Sequence, residues 1–123
     1  LDNLTYQQSS LLSLSSEQNF DFVYGDVCHT GSLKKIIAKF DVIIPLAAIV
    51  GAPACDLKPH LAHAINFEAV RVILENTSPQ QRILFPTTNS GYGIGEKNNF
   101  CTEETPLRPV SLYGQLDAAG YVC

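Results

Sequence analysis

The chain has 123 residues, a net charge of −4, a sequence pI near 5.2 and 46% hydrophobic residues. This length allows one domain, and the acidic balance argues against nucleic acid and against a polybasic membrane contact. No apolar run approaches the roughly 20 residues that span a bilayer, and no signal peptide is visible. The four cysteines form no C-x-x-C pair and no histidine lies at zinc-finger spacing, so we predict no metal site.

Strand-like and helix-like patterns alternate along the chain, which indicates a parallel α/β sheet. In chain order, the patterns predict a strand end at 1–2, a loop with a short helix over 5–17, a strand over 20–24, a helix over 31–40, a strand over 42–48, a helix over 57–76, a strand over 83–86, a loop over 94–110 and a helix from 111 to the end.

Three of these elements carry specific expectations. The continuous apolar run over 42–48 predicts a strand buried on both faces, although Pro45 cannot donate a ladder hydrogen bond. The 31–40 helix should bury one face, made of Leu33, Ile36, Ile37 and Phe40. Pro59 suits the first turn of the 57–76 helix. The long helix should bury one apolar stripe, made of Leu61, Ile65, Ala69, Val72 and Ile73.

Two segments suggest chemistry. Thr88 follows the strand at 83–86 within Thr-Thr-Asn-Ser-Gly-Tyr-Gly, and Tyr113 lies at the start of the last helix within Ser-Leu-Tyr-Gly. A hydroxyl at a strand end and a phenol at a helix start can together move a proton to or from a carbinol oxygen. Asp117 lies one helical turn beyond Tyr113 and therefore shares its helix face.

These motifs resemble the extended short-chain dehydrogenases/reductases, the NAD-dependent nucleotide-sugar epimerase/dehydratase family. In that family a Ser or Thr precedes a Tyr-Gly by four residues, as Thr88 precedes Tyr92, and a Tyr-x-x-x-Lys follows at the spacing of Tyr113. The departure is Asp117, which stands at the lysine position. A carboxylate favours the neutral phenol, whereas the family's lysine favours the phenolate.

The resemblance implies a fold and a cofactor. The expected fold is a partial Rossmann-like, doubly wound parallel sheet that lacks the first, central strand and the C-terminal substrate domain, so 1–123 would be an NAD-binding domain truncated at both ends. NAD is the implied cofactor, since an acid at the second strand end contacts ribose hydroxyls and repels a 2′-phosphate. The implied cofactor-binding residues are Asp2, Asn3, Asp26, Val27, Leu46, Ala47, Ala48 and Asn66, the last resembling an asparagine that braces the active-site strand.

The resemblance also implies a reaction. In a complete relative, Tyr113 would take a proton from a nucleotide-sugar hydroxyl, Thr88 would hold the same oxygen, and hydride would pass to NAD. With Asp117 at the lysine position, we expect little or no turnover from this chain. A cytoplasmic location and pairing into a homodimer through two helices are further expectations.

Two alternatives remain open. The chain could be a non-catalytic, dinucleotide-binding or regulatory relative that lost the catalytic lysine, which Asp117 favours. It could also be a remnant that does not fold alone, since two strands of the expected sheet would lose their shared partner and present unpaired edges.

Overall fold

The computed structural model describes residues 1–95 and 100–122, with side chains to residue 120. Its helices and strands are α1 (Thr30–Ile37), β1 (Val42–Ile43), α2 (Ala52–Leu57), α3 (Pro59–His63), a π-helical segment (Ala64–Glu68), α4 (Ala69–Glu75), β2 (Arg82–Ile83) and α5 (Leu112–Val122), with single 3₁₀ turns at Leu12–Leu14 and Asn89–Tyr92. Among the described residues, no helix combines the length and the hydrophobicity needed to cross a membrane.

The sheet is parallel, as predicted, but it is short and interrupted. β1 pairs with β2 so that Val42 lies opposite Arg82 and Ile43 opposite Ile83. Separately, Asp2 and Tyr24 form a parallel bridge. In the described part of the chain, no backbone ladder joins this bridge to β1.

The three predicted strands are longer than the observed ones, and this is a correction. Only Tyr24 of 20–24 is paired, and the 42–48 run pairs over Val42–Ile43. Of the 83–86 run only Ile83 is paired, and the strand begins one residue earlier, at Arg82. Among the described residues no strand pairs with the edge of β1 that faces away from β2, so the apolar run gains no second ladder there. Pro45 has no N–H with which to extend the pairing.

The prediction that 42–48 is buried on both faces is likewise wrong. Val42, Ile44 and Leu46 are 46%, 53% and 73% exposed. They line an apolar groove of about 540 Å³ between β1 and the segment that carries the Asp2–Tyr24 bridge. Their exposure follows from the missing pairing on that side.

The helix predicted over 57–76 is a chain of shorter pieces. It is preceded by α2, which the sequence pattern did not predict, and Lys58 leaves the helical conformation between α2 and α3. Pro59 opens α3, where its missing N–H costs no hydrogen bond. The four stripe residues from Ile65 onward are buried as predicted, but Leu61 is 42% exposed and lines a cavity instead.

The other helices agree with the predictions in part. α1 ends at Ile37, and Phe40 is 53% exposed, so its predicted burial is wrong. α5 begins where predicted, and the Ser111 hydroxyl accepts a hydrogen bond from the Gly114 N–H at 3.1 Å. The described parts of 94–110 contain no helix or strand, and the remainder, 96–99, lies outside the described residues.

Two buried clusters hold these elements together. Leu33 and Ile37 of α1 pack with Val72 and Ile73 of α4, next to β1 and β2. A second cluster joins the α2–α3 region and the π-helical segment to α5, through Ile49, Cys55, Ala62, Ile65 and Leu116. The second cluster anchors α5 beside the carboxyl ends of the strands.

Candidate functional site

The predicted proton-handling residues meet in one cavity. Thr88, Tyr113 and Asp117 line a space of about 200 Å³ at the carboxyl ends of β1 and β2. The 45–48 segment after β1 forms another wall of this cavity. The described residues that line it include no lysine or arginine.

Thr88 is fixed by its backbone and by its side chain. Its hydroxyl accepts a hydrogen bond from the Ser90 N–H at 3.3 Å and so caps the 3₁₀ turn Asn89–Tyr92. Its own N–H donates to Oδ2 of Asp117 at 3.1 Å. The same oxygen accepts from the Thr87 hydroxyl at 2.7 Å. Asp117 on α5 therefore binds the segment that follows β2.

Close packing places Tyr113 against this strand end. Gly114 lies so near the Ser90 carbonyl that an added Cβ would stand 2.6 Å from its oxygen. Two turns along α5, a Cβ on Gly120 would stand 3.1 Å from the Phe85 ring. Small residues on this face let α5 approach the strand end, and that approach brings Tyr113 into the cavity.

The predicted cofactor-binding residues, apart from Asn66, line a second cavity of about 380 Å³. Asp2, Asn3, Asp26 and Val27 form one side of it, and the 46–48 segment forms another. That segment also lines the first cavity, so the two spaces meet along it.

Asp26 is held in place as a hydrogen-bond acceptor. Its Oδ1 accepts from the Cys28 N–H at 2.8 Å, and its Oδ2 accepts from the Asn3 amide at 3.0 Å. These donors, the Cys28 N–H foremost, lower the pKa of Asp26 against the opposing effect of burial. The side chain therefore stays ionised at neutral pH and can accept further hydrogen bonds.

Asn66 lies in the first cavity wall, but its polar atoms are directed to the backbone. Its Oδ1 accepts from the Ile49 N–H and its Nδ2 donates to the Ile49 carbonyl, both at 2.8 Å. The side chain is buried. This arrangement fixes the segment that follows β1, where the two cavities meet.

Sequence reasoning missed one member of the site, Thr87. Its hydroxyl shares the Asp117 oxygen with the Thr88 N–H. A signal was present, because an acid facing a strand end needs donors and a Thr-Thr pair offers both a hydroxyl and an N–H. Only the docking of α5, however, shows that the two segments meet.

Parallel strands packed against helices, with cavities at the carboxyl ends of the strands, are typical of Rossmann-like α/β domains. Comparison with known proteins gives the family. Residues 1–122 match the model of the NAD dependent epimerase/dehydratase family, and the chain belongs to this family.

Individual relatives agree. The chain is 33% identical over 116 residues to "Uncharacterized UDP-glucose epimerase YtcB" of Bacillus subtilis, covering 90% of this chain and 35% of that protein. It is 28% identical to UDP-glucose 4-epimerase 2 of Oryza sativa, covering 91% of this chain and 28% of that protein. The chain thus spans about a third of the length of the curated relatives it matches.

Solved structures show the same fold. The dTDP-glucose 4,6-dehydratase of Bacillus anthracis, crystallised with NAD, superposes with a TM-score of 0.80 at 26% identity, over 98% of this chain and 38% of that one. UDP-glucuronic acid 4-epimerase of Bacillus cereus superposes with a TM-score of 0.76 at 27% identity, over 91% of this chain and 36% of that one. The expected partial Rossmann-like fold and the family resemblance are both confirmed.

Proposed function

We propose that residues 1–123 form the NAD-binding part of a nucleotide-sugar epimerase or dehydratase. The observation that carries the proposal is the pair of adjoining cavities. One is lined by the predicted adenosine-side residues Asp2 and Asp26, and the other by Thr88 and Tyr113.

The residues present fit the two ends of such a dinucleotide. Asp26 is an ionised acceptor suited to the adenine amino group, with Val27 beside it as an apolar contact for the ring. Asp2, an exposed carboxylate in the same cavity, suits ribose hydroxyls and disfavours a 2′-phosphate. The small side chains of Ala47 and Ala48 leave room where the two cavities meet.

Proton transfer would fall to the chain's own residues. Tyr113 would accept the proton of a sugar hydroxyl, and Thr88 would hold the same oxygen by its hydroxyl. NAD, when bound, supplies the hydride acceptor. The cavity offers no cation from the described residues to stabilise a phenolate, so we expect slow turnover or none.

The lack of a cation among the described residues of the Tyr113 cavity supports a second candidate function, a relative that binds the dinucleotide without catalysis. Asp117 is turned to Thr87 and Thr88, and its carboxylate occupies the lysine position without replacing its charge. Such a protein would keep cofactor affinity and lose proton transfer.

A titration of NADH into the chain tests binding. The chain contains no tryptophan, so nicotinamide fluorescence can be followed with little background. We expect saturable enhancement that NAD reverses and NADP reverses poorly. Asp2→Asn should reduce the preference for NAD over NADP, whereas Asp56→Asn, on the exposed surface of α2, should leave it unchanged. No saturable enhancement with the wild-type chain would refute the proposal.

A turnover assay separates the two candidates. UDP-glucose and dTDP-glucose are suitable probes, because relatives are named for them. Product formation above that of Tyr113→Phe would support catalysis. Equal rates in the two proteins, together with NADH binding by both, would favour the non-catalytic alternative.

A further inference from the structure

Asp117 forms a long-range contact that its place in the motif does not explain. A side chain at this position faces Tyr113 along the helix, yet its Oδ2 accepts hydrogen bonds from the Thr87 hydroxyl at 2.7 Å and the Thr88 N–H at 3.1 Å. Both donors belong to a segment about 30 residues earlier. One carboxylate oxygen therefore connects α5 to the segment that follows β2.

The strand end needs such an acceptor. The last ladder bond of the β1–β2 pair is donated by the Leu84 N–H to the Ile43 carbonyl at 2.9 Å. Four residues later the Thr88 N–H has passed the end of the ladder, and an N–H without a partner is costly. The carboxylate accepts it, and a charged acceptor makes a stronger bond than a neutral one.

A lysine could not replace this contact. An ammonium group donates hydrogen bonds and accepts none, so it would leave the Thr88 N–H without its acceptor. A neutral amide could replace it in part, because the Oδ1 of asparagine accepts two hydrogen bonds.

We propose that Asp117 is a positioning residue that clamps Thr88 to α5 and so fixes the Thr88 hydroxyl relative to Tyr113. The carboxylate performs this organising role by accepting hydrogen bonds from the segment that follows β2. The substitution that restores the family residue, Asp117→Lys, then loosens Thr88. The clamp deepens the proposed function, because it concerns the same cavity, but its test does not require cofactor binding.

Amide hydrogen exchange followed by NMR tests the clamp at the atom concerned. In Asp117→Ala, the exchange rate of the Thr88 amide should rise roughly tenfold, which corresponds to the loss of one hydrogen bond to a charged group. The Leu84 amide, bonded within the ladder, is the internal reference for global stability and should change less than threefold, well below the Thr88 effect. The Thr88 amide proton resonance should also move upfield.

Matched variants distinguish the clamp from general damage. Asp117→Asn should keep most of the Thr88 protection, and Asp117→Lys should lose it as Asp117→Ala does. Thr87→Val removes only the hydroxyl contact, so the Thr88 amide should stay protected while Asp117 is intact.

Three results would overturn the clamp. In the first, the Thr88 amide of the wild-type chain exchanges as fast as in an unfolded peptide. In the second, Asp117→Ala raises the exchange rates of the Thr88 and Leu84 amides equally. In the third, the Thr88 amide exchanges at the same rate in Asp117→Asn and in Asp117→Ala. A protected Thr88 amide without NADH binding would retain the clamp and reject the proposed function. NADH binding by the wild-type chain, together with an unchanged Thr88 exchange rate in Asp117→Ala, would retain the proposed function and reject the clamp.

Discussion

The two ends of the candidate site hold their acidic side chains by different means. On the Asp2–Asp26 side, each carboxylate accepts the N–H two residues ahead, from Leu4 at 2.6 Å and from Cys28 at 2.8 Å, and the Asn3 amide adds one longer-range bond to Asp26 at 3.0 Å. On the Thr88–Tyr113 side, the single carboxylate of Asp117 accepts from donors 29 and 30 residues away.

The two ends therefore depend on the rest of the molecule to different extents. A carboxylate that bonds two residues ahead forms a turn of its own, and such turns need little tertiary support. Leu1, Asp2 and Leu4 are exposed, and the Asp2–Tyr24 bridge and the Asn3–Asp26 hydrogen bond order their backbone. The Asp117 end exists only when α5 is docked, so it should be the end that core and packing substitutions disturb.

The largest expected effect comes from the residue that fixes the segment between the two ends. Asn66→Ala would leave the buried Ile49 N–H without its acceptor and the Ile49 carbonyl with only the weak donor of the Cys55 thiol, at a cost of about 3 kcal/mol in the free energy of unfolding. Urea unfolding followed by circular dichroism measures this cost. Asn76→Ala is the control, because within the described residues the Asn76 amide donates to the Val72 carbonyl of the helix that it ends. Equal losses in the two variants would contradict the role given to Asn66.

A second substitution should disturb the Tyr113 end alone. Gly93 has a φ of +71°, and an added Cβ would stand 1.9 Å from the Arg108 carbonyl oxygen. Gly93→Ala should therefore cost about 2 to 3 kcal/mol from backbone strain and overlap. Gly95→Ala, where no atom of the described residues lies within 4 Å of the added Cβ, should change the stability by less than about 0.5 kcal/mol. Thermal or urea unfolding of both variants would reveal any failure of this contrast.

A third substitution reverses an intrinsic preference. Inside a helix, Gly→Ala normally stabilises by about 1 kcal/mol. At Gly114 the new methyl would press on the Ser90 carbonyl, so we expect Gly114→Ala to destabilise by about 1 to 2 kcal/mol. The exposed Gln115→Ala serves as the control on the same helix. A stabilised Gly114→Ala variant would mean that α5 does not approach the strand end so closely.

The smallest effect concerns the Asp26 end and depends on pH. Since the folded state lowers the pKa of Asp26, its contribution to stability is present above the ordinary aspartate value of about 3.9 and is lost as the pH falls through the lower folded value. Asp26→Asn should therefore cost about 0.5 kcal/mol at pH 6, a small amount for a partly exposed group. The difference in unfolding free energy between the wild-type chain and Asp26→Asn should be smaller at pH 3 than at pH 6. A gap that widens on acidification, in paired urea titrations, would contradict the sign.

Much of the organisation could be predicted from the pattern of residues. The alternation of helices and strands, the start of α5 directly after Ser111 and the burial of Ile65, Ala69 and Val72 follow from periodicity and capping, which are local. The pattern was wrong where the neighbours of an element decide the outcome. The apolar run over 42–48 has the composition of a central strand, but its exposed side chains show that burial needs a second pairing partner.

Three features could be predicted from the amino-acid sequence alone: the family, the acidic residues Asp2 and Asp26, and the aspartate at position 117 where the family motif has a lysine. They could be predicted because motif spacing and short-range hydrogen bonding lie within a few residues along the chain. The contacts of Asp117, the bonding of the Asn66 amide to Ile49 and the place of Thr87 in the site are seen only in the folded structure. Those contacts form between segments 17 to 30 residues apart, and the docking of packed helices brings them together.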